Sequence, residues 1–171
     1  GWKYQLRDEP GVILSWERSW PGWYTADIGK NLHARFAPHG GVTLGNVYTY
    51  ANAGFTIDLT PSNLRWQTQP VRVRPAIPGS GYFEYTDGHG WMTYLGYDAR
   101  LMAHNIFLDG NTWKNSHHVK RRPFVHDLAL GAAYNHKNFR ISYTVNWRSR
   151  EFKSPLAKSS SFGAISIGYR F

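Results

Sequence analysis

Apolar and polar residues take turns along several stretches of the chain, and the period is two. Toward the C-terminus Gly163, Ile165, Ile167, Tyr169 and Phe171 alternate with Ala164, Ser166, Gly168 and Arg170. Just before, Phe139, Ile141, Tyr143, Val145 and Trp147 oppose Arg140, Ser142, Thr144, Asn146 and Arg148. Successive side chains on a strand point to opposite faces, so each stretch predicts a strand with one greasy and one wet face. The same rule sets Leu95, Tyr97, Ala99, Leu101 and Ala103 against Tyr94, Asp98, Arg100 and His104. It sets Phe124, Leu128, Leu130 and Tyr134 against Asp127, Gly131 and Asn135, with His126 interrupting the apolar side. Val47, Ala51, Ala53, Phe55 and Ile57 alternate with Asn46, Tyr48, Tyr50, Asn52, Thr56 and Asp58. Two weaker strands are expected over Val12 to Trp20 and Ala26 to Pro38, the latter with Lys30 on its apolar face.

Turn chemistry separates these stretches. Trp20-Pro21-Gly22 and Asn135-His136-Lys137-Asn138 predict tight turns, while 108–122 and 150–160 read as polar loops. Residues 60–90 carry Pro61, Pro70, Pro75 and Pro78 and form a long irregular connection, with room for a short strand near Tyr82 to Tyr85. No stretch with a period of about 3.6 is long enough for a helix, so the fold class is all-β and antiparallel. No run of about 18 apolar residues occurs, so a membrane reading rests on strands. A sheet whose apolar face meets lipid is a β-barrel, whereas one whose apolar face meets a core is soluble. A terminal Phe171 with Tyr169 two residues earlier favours the outer-membrane barrel. Seven strands fall one short of the smallest closed barrel, so either 60–90 supplies a strand or part of the wall lies elsewhere. With a periplasmic C-terminus, 108–122 and 150–160 face outward and 60–90 lies in the periplasm.

Composition narrows the partners. In 171 residues, 20 Lys and Arg against 11 Asp and Glu give a formal charge of +9, which suits anionic lipid or nucleic acid. Eight Trp and eleven Tyr suit interfacial girdles or a stacking surface. On the strand 139–148, however, the aromatics point away from Arg140 and Arg148, which argues against nucleic acid. With no cysteine there is no disulfide framework or thiolate metal site. The chain begins Gly1-Trp2-Lys3, without a signal sequence, so an exported protein has already lost it.

Several segments resemble the lipid A 3′-O-deacylase (LpxR-type) family. They are Leu44 through Ala51, Arg74-Pro75-Ala76-Ile77-Pro78-Gly79-Ser80, Asn105 through Thr112, and Tyr143 through Phe152, with the closing Tyr169-Arg170-Phe171. Their order matches the C-terminal part of that family along essentially the whole of 1–171. The resemblance implies a single domain, a multi-pass portion of a twelve-stranded outer-membrane barrel. It implies that the parent removes the 3′-acyloxyacyl group of lipid A with calcium, and that it is a monomer when complete. No position here matches the family's catalytic residues, which are expected upstream of Gly1, so none is carried over and the calcium ligands stay unassigned.

The residues themselves offer no nucleophile elbow, since no Gly-x-Ser-x-Gly occurs. His117 and His118 are adjacent and would face opposite ways on a strand, which makes joint ligation of a metal awkward. His117 and Lys120-Arg121-Arg122 form the densest positive cluster, suited to the phosphates of lipopolysaccharide or simply to a solvated loop. His104, Asn105, Asp109 and Asn111 are expected near the outer rim, as the border of a lipid A site, as oxygen ligands of calcium, or as ordinary turn chemistry at Asp109-Gly110. Inward Arg140, Arg148 and Asp98 are expected to pair across the lumen or to contact a substrate, pairing being the commoner fate of charges in a filled barrel. Three functions follow: the wall of a deacylase, a non-catalytic outer-membrane barrel with a structural or lipopolysaccharide-binding role, and a soluble basic β-domain.

Overall fold

The computed structural model describes residues 6–61, 89–154 and 158–169. Eight strands form one antiparallel sheet: β1 (Ile13–Ser19), β2 (Tyr24–Ile28), β3 (Leu32–Gly45), β4 (Tyr48–Pro61), β5 (His89–Asn105), β6 (Phe124–His136), β7 (Phe139–Arg148) and β8 (Ser160–Tyr169). Neighbours in sequence are neighbours in space from β3 to β8. Both β1 and β2 pair with β3, β1 from Ile13↔Gly45 to Ser19↔His39 and β2 from Tyr24↔Phe36 to Ile28↔Leu32. They are therefore two halves of one stave, and the sheet is seven staves wide. Among the described residues its two edges do not pair with each other, so the sheet is an open arc.

Two expectations for the first half need correction. The strand expected over Ala26 to Pro38 is broken by a hairpin, with Gly29 at φ 68°, a left-handed conformation that glycine adopts without strain. That turn takes Lys30 off the apolar face, which removes the conflict in its register. Trp20-Pro21-Gly22 is a turn, but it does not reverse the chain. Its residues bulge outward while Trp20 N–H still bonds Pro38 O at 3.0 Å, and β2 resumes along the same edge. The expectations for 60–90, including a strand near Tyr82 to Tyr85 and the Arg74 to Ser80 segment, lie outside the described residues apart from the strand ends Pro61 and His89. So do Arg170 and Phe171.

The alternation decides which face is which. On β7, Arg140, Ser142, Thr144 and Asn146 are buried, while Phe139, Ile141, Tyr143 and Trp147 are exposed. On β5, Asp98 and Arg100 are buried and Leu101 is exposed; on β4, Asn52, Thr56 and Asp58 are buried and Ile57 is exposed. Polar groups lie on the concave side and aliphatic and aromatic groups on the convex side, the reverse of a soluble sheet. His126, the exception on β6, is outward-facing and stands between Tyr97 and Phe124.

The concave side is held by charge as well as by packing. Strands two apart lie about 10 Å from each other, within reach of long side chains across a curved sheet. His39 of β3 thus meets Asp98 of β5 at 2.8 Å. Arg100 of β5 meets Asp127 of β6 at 2.6 Å, and Arg148 of β7 takes the same carboxylate through two nitrogens at 3.0 Å each. The expected fate of Asp98 and Arg148, pairing inside, is what the structure shows. Two apolar plugs, Met92 with Tyr94 and Ala133, and Tyr50 with Met102 and Val125, fill the space between these charges. Glycine makes room for the His39 ring: a Cβ at Gly54 would collide with the Tyr97 carbonyl oxygen and come within 2.7 Å of that ring.

Candidate functional site

The two ends of the staves differ. Among the described residues, one rim carries the β2–β3 and β6–β7 hairpins, the far ends of β4 and β5, and the end of β8. The other carries 46–47, 106–123 and 149–159, and here the irregular chain is organised. Asn105 ends β5 in an extended conformation and its side chain accepts from Phe107 N–H at 3.1 Å, which caps a single helical turn, α1 (Ile106–Asp109). Gly110, at φ 86°, stops it. Val119 N–H then bonds Leu108 O at 2.7 Å, folding the loop back, and Lys153 N–H bonds Lys120 O at 2.7 Å, joining it to the β7–β8 loop.

Of the residues expected at the rim, Asn105, Arg121 and Arg122 line a cavity of about 310 Å³. His104 and Asp109 sit beside it. Asp109 accepts from Arg121 Nη1 at 2.7 Å and from Asn105 N–H at 2.9 Å. His104 Nε2 donates to Asn46 O at 2.9 Å, which leaves Nδ1 toward Asp109 at 3.6 Å. In this arrangement His104 and Asp109 fasten the rim, and the imidazole has no acceptor nitrogen aimed into open space. Asn111, His117 and Lys120 lie away from the cavity, the last two exposed. Alternation had placed Arg100 and Arg148 inward; their lining of the cavity beside Tyr48, Met102, Val125 and Glu151 was missed. These come from β4, β5, β6, β7 and the two loops, and only the strand register brings them together.

A strap of residues 7–12 crosses the same rim. Glu9 accepts from Asn111 Nδ2 at 2.9 Å, Asn46 Nδ2 at 3.1 Å and Thr112 N–H at 3.0 Å. Asn111 is thereby engaged, since it also exchanges bonds with the Arg7 backbone at 2.8 and 2.9 Å. Crowding removes water from the Glu9 carboxylate and pushes its pKa up, but bonds from Asn111, Asn46, Thr112 and the Trp113 amide more than offset this and bring it from 4.5 to about 2. A lowered folded pKa stabilises above the unfolded value and is lost as pH falls. The strap should therefore hold at neutral pH and loosen between pH 4.5 and about 2. Amide exchange at Thr112 and Trp113 checks this: Glu9→Gln should raise exchange at pH 7 toward the acid level, and an unchanged rate would remove the strap's dependence on Glu9.

Calcium takes six to eight oxygen ligands. At this rim the Asp109 and Glu9 carboxylates are already committed to donors, and no group of three His, Asp or Glu side chains comes together among the described residues. The described residues do not fit a calcium site, and the His117-His118 pair does not gain a third ligand.

An arc of antiparallel strands with buried charges inside and lipid-compatible side chains outside is an outer-membrane β-barrel protein. The family model for "Outer membrane protein LpxR" matches residues 1–171, so the chain belongs to the LpxR family. Among solved structures, LpxR from Salmonella typhimurium superimposes with a TM-score of 0.75 at 19% identity, over 99% of this chain and 55% of that one. At that identity the likeness is one of fold, and the chain spans about half the length of that protein. Comparison with curated proteins finds no match.

Proposed function

We propose that the chain is part of the wall of an outer-membrane lipid A 3′-O-deacylase, and that its loop rim faces the lipopolysaccharide of the outer leaflet. The observation that supports this most is family membership over the whole chain. This orientation puts Lys120, Arg121 and Arg122 at the level of lipid phosphates. In this reading the rest of the protein supplies the acid–base groups and any calcium, no nucleic acid is involved, and the complete protein works as a monomer. A second reading, a non-catalytic barrel that binds lipopolysaccharide, draws on the engagement of Asp109, Glu9 and His104 in structural bonds.

Ester hydrolysis needs a positioned base or activated nucleophile and oxyanion stabilisation. Mass spectrometry of lipid A incubated with the complete parent should show loss of the 3′-acyloxyacyl group, and calcium chelation before incubation should prevent it. The purified 171-residue chain, incubated with lipid A, should release none. An assembled parent that leaves lipid A unchanged would overturn the deacylase reading. Release by this chain alone that disappears in His104→Ala or Asp109→Ala would move the active site onto this wall.

A further inference from the structure

His33, His39 and His104 are each held through a ring nitrogen, by Asp27, Asp98 and the Asn46 carbonyl respectively. His89 and His136 are different. They stand directly opposite each other on β5 and β6, with ring centroids 4.3 Å apart and planes 38° from parallel. Among the described residues neither ring takes part in a hydrogen bond or an ion pair.

Their level in the wall keeps them wet. Both are exposed, on the convex face of the rim opposite the loops. The neighbouring pair on that face is Trp91 with Tyr134. Trp and Tyr mark the membrane–water interface of such barrels. Residues two positions further along a strand lie about 7 Å beyond, so the imidazoles stand outside the hydrocarbon, where a hydrated cation reaches them.

Directly opposed residues of an antiparallel pair hold their Cβ atoms about 4.5–5.5 Å apart. Two nitrogens bound to one tetrahedral metal at about 2.0–2.1 Å are about 3.3 Å from each other. The rings span that distance by turning about Cβ–Cγ, with no movement of the backbone. Capture by one imidazole then presents the metal to the second at high effective concentration. Neutral imidazole suits zinc, nickel and copper, whereas calcium and magnesium take oxygen. No third His and no Asp or Glu joins the pair among the described residues, so water completes the coordination.

We propose that His89 and His136 form a binding site for a divalent transition cation, zinc, nickel or copper, which clasps β5 to β6 at the rim away from the loops. The site is separate from the calcium of the deacylase reading and stands whichever reading of function holds.

The test is titration of the full chain in neutral micelles with copper(II), followed by electron paramagnetic resonance, and with zinc(II), followed by calorimetry. At one equivalent of copper the spectrum should carry the splitting of two imidazole nitrogens, and His89→Gln or His136→Gln should each reduce it to one. Each should weaken zinc binding more than about tenfold, since even partners outside the ligand set are worth that much. The double variant should bind little more weakly than either single one, because the chelate needs both rings. Joint replacement of His117 and His118 by Gln should change nothing. Zinc should also raise the urea midpoint of the wild type and of neither variant, while the metal-free midpoints agree, which separates the site from a folding defect. Failure to bind either metal, or zinc affinity that is equal in the wild type and both single variants, would overturn the proposal and leave a stacked ring pair. Lipid A plays no part in this readout, so its failure and that of the deacylase reading are distinct.

Discussion

Leu130→Arg is expected to destabilise the membrane-inserted protein by about 2–4 kcal/mol, a roughly 30- to 900-fold loss in the folding equilibrium, because it puts a charge at mid-bilayer on the lipid face. Leu130 stands at the middle of β6, flanked by Leu95 and Val145 on the neighbouring staves, and is 51% exposed. In water that exposure would be a defect; against acyl chains it is the wall's outer surface. Equilibrium folding into lipid vesicles, followed by tryptophan fluorescence across a urea series, measures the effect, with Leu130→Phe as the near-neutral control. Equal stability of the Arg and Phe variants would mean that the convex face does not meet lipid. Thr144 would be a poor inward comparator, since its hydroxyl is bonded to Tyr94 in a packed layer.

The other large effect lies on the concave side. Asp127→Ala should cost about 3–5 kcal/mol, because it removes the carboxylate shared by two arginines and leaves buried positive charge uncompensated. Arg100 is 1% exposed and Arg148 18%, so neither charge is well solvated, and the Arg100 share of the penalty dominates. The double variant Asp127→Ala with Arg100→Met should recover a large part of the loss, since a buried charge is then absent from both sides. Urea midpoints in micelles decide it. A loss under about 1 kcal/mol, the range of a surface ion pair, would show that water reaches the network.

Most of the wall was legible because its physics is local. From β4 to β8 each residue's face follows from its neighbours two positions away, and the exposed Ile141 and Tyr143 against the buried Arg140 and Ser142 match the alternation. What the sequence hid was of two kinds. Short features leave too few residues for a period: the one-turn helix Ile106–Asp109 is shorter than any window that separates 3.6 from 2, and the hairpin at Gly29 splits what reads as one strand. The cavity, by contrast, is a matter of register. Tyr48 and Met102 come together because β4 slips by one position against β5 between Thr49 and Tyr50, and no pattern along either strand announces that shift. Asn105, Arg121 and Arg122 were expected at the rim for their chemistry, whereas alternation said of Arg100 only that it faces inward, and of Arg148 that it would pair with another charge or meet a substrate.

The division of every stave into a wet and a greasy face also bears on how such a chain travels. Averaged along its length the two faces cancel, and the mean hydropathy is −0.51, a value usual for water-soluble proteins. A translocation channel judges a segment by the summed transfer energy of about 19 consecutive residues, and here the strands carry polar side chains at alternate positions and the connections between them are polar or rich in proline and glycine. No helix among the described residues is long and apolar enough to lodge in a bilayer. The nascent polypeptide can therefore pass through an inner membrane that would retain a chain of equal apolar content arranged in blocks. Its affinity for lipid arises only when hydrogen bonding between staves sorts the side chains onto two surfaces, so insertion and folding are one event.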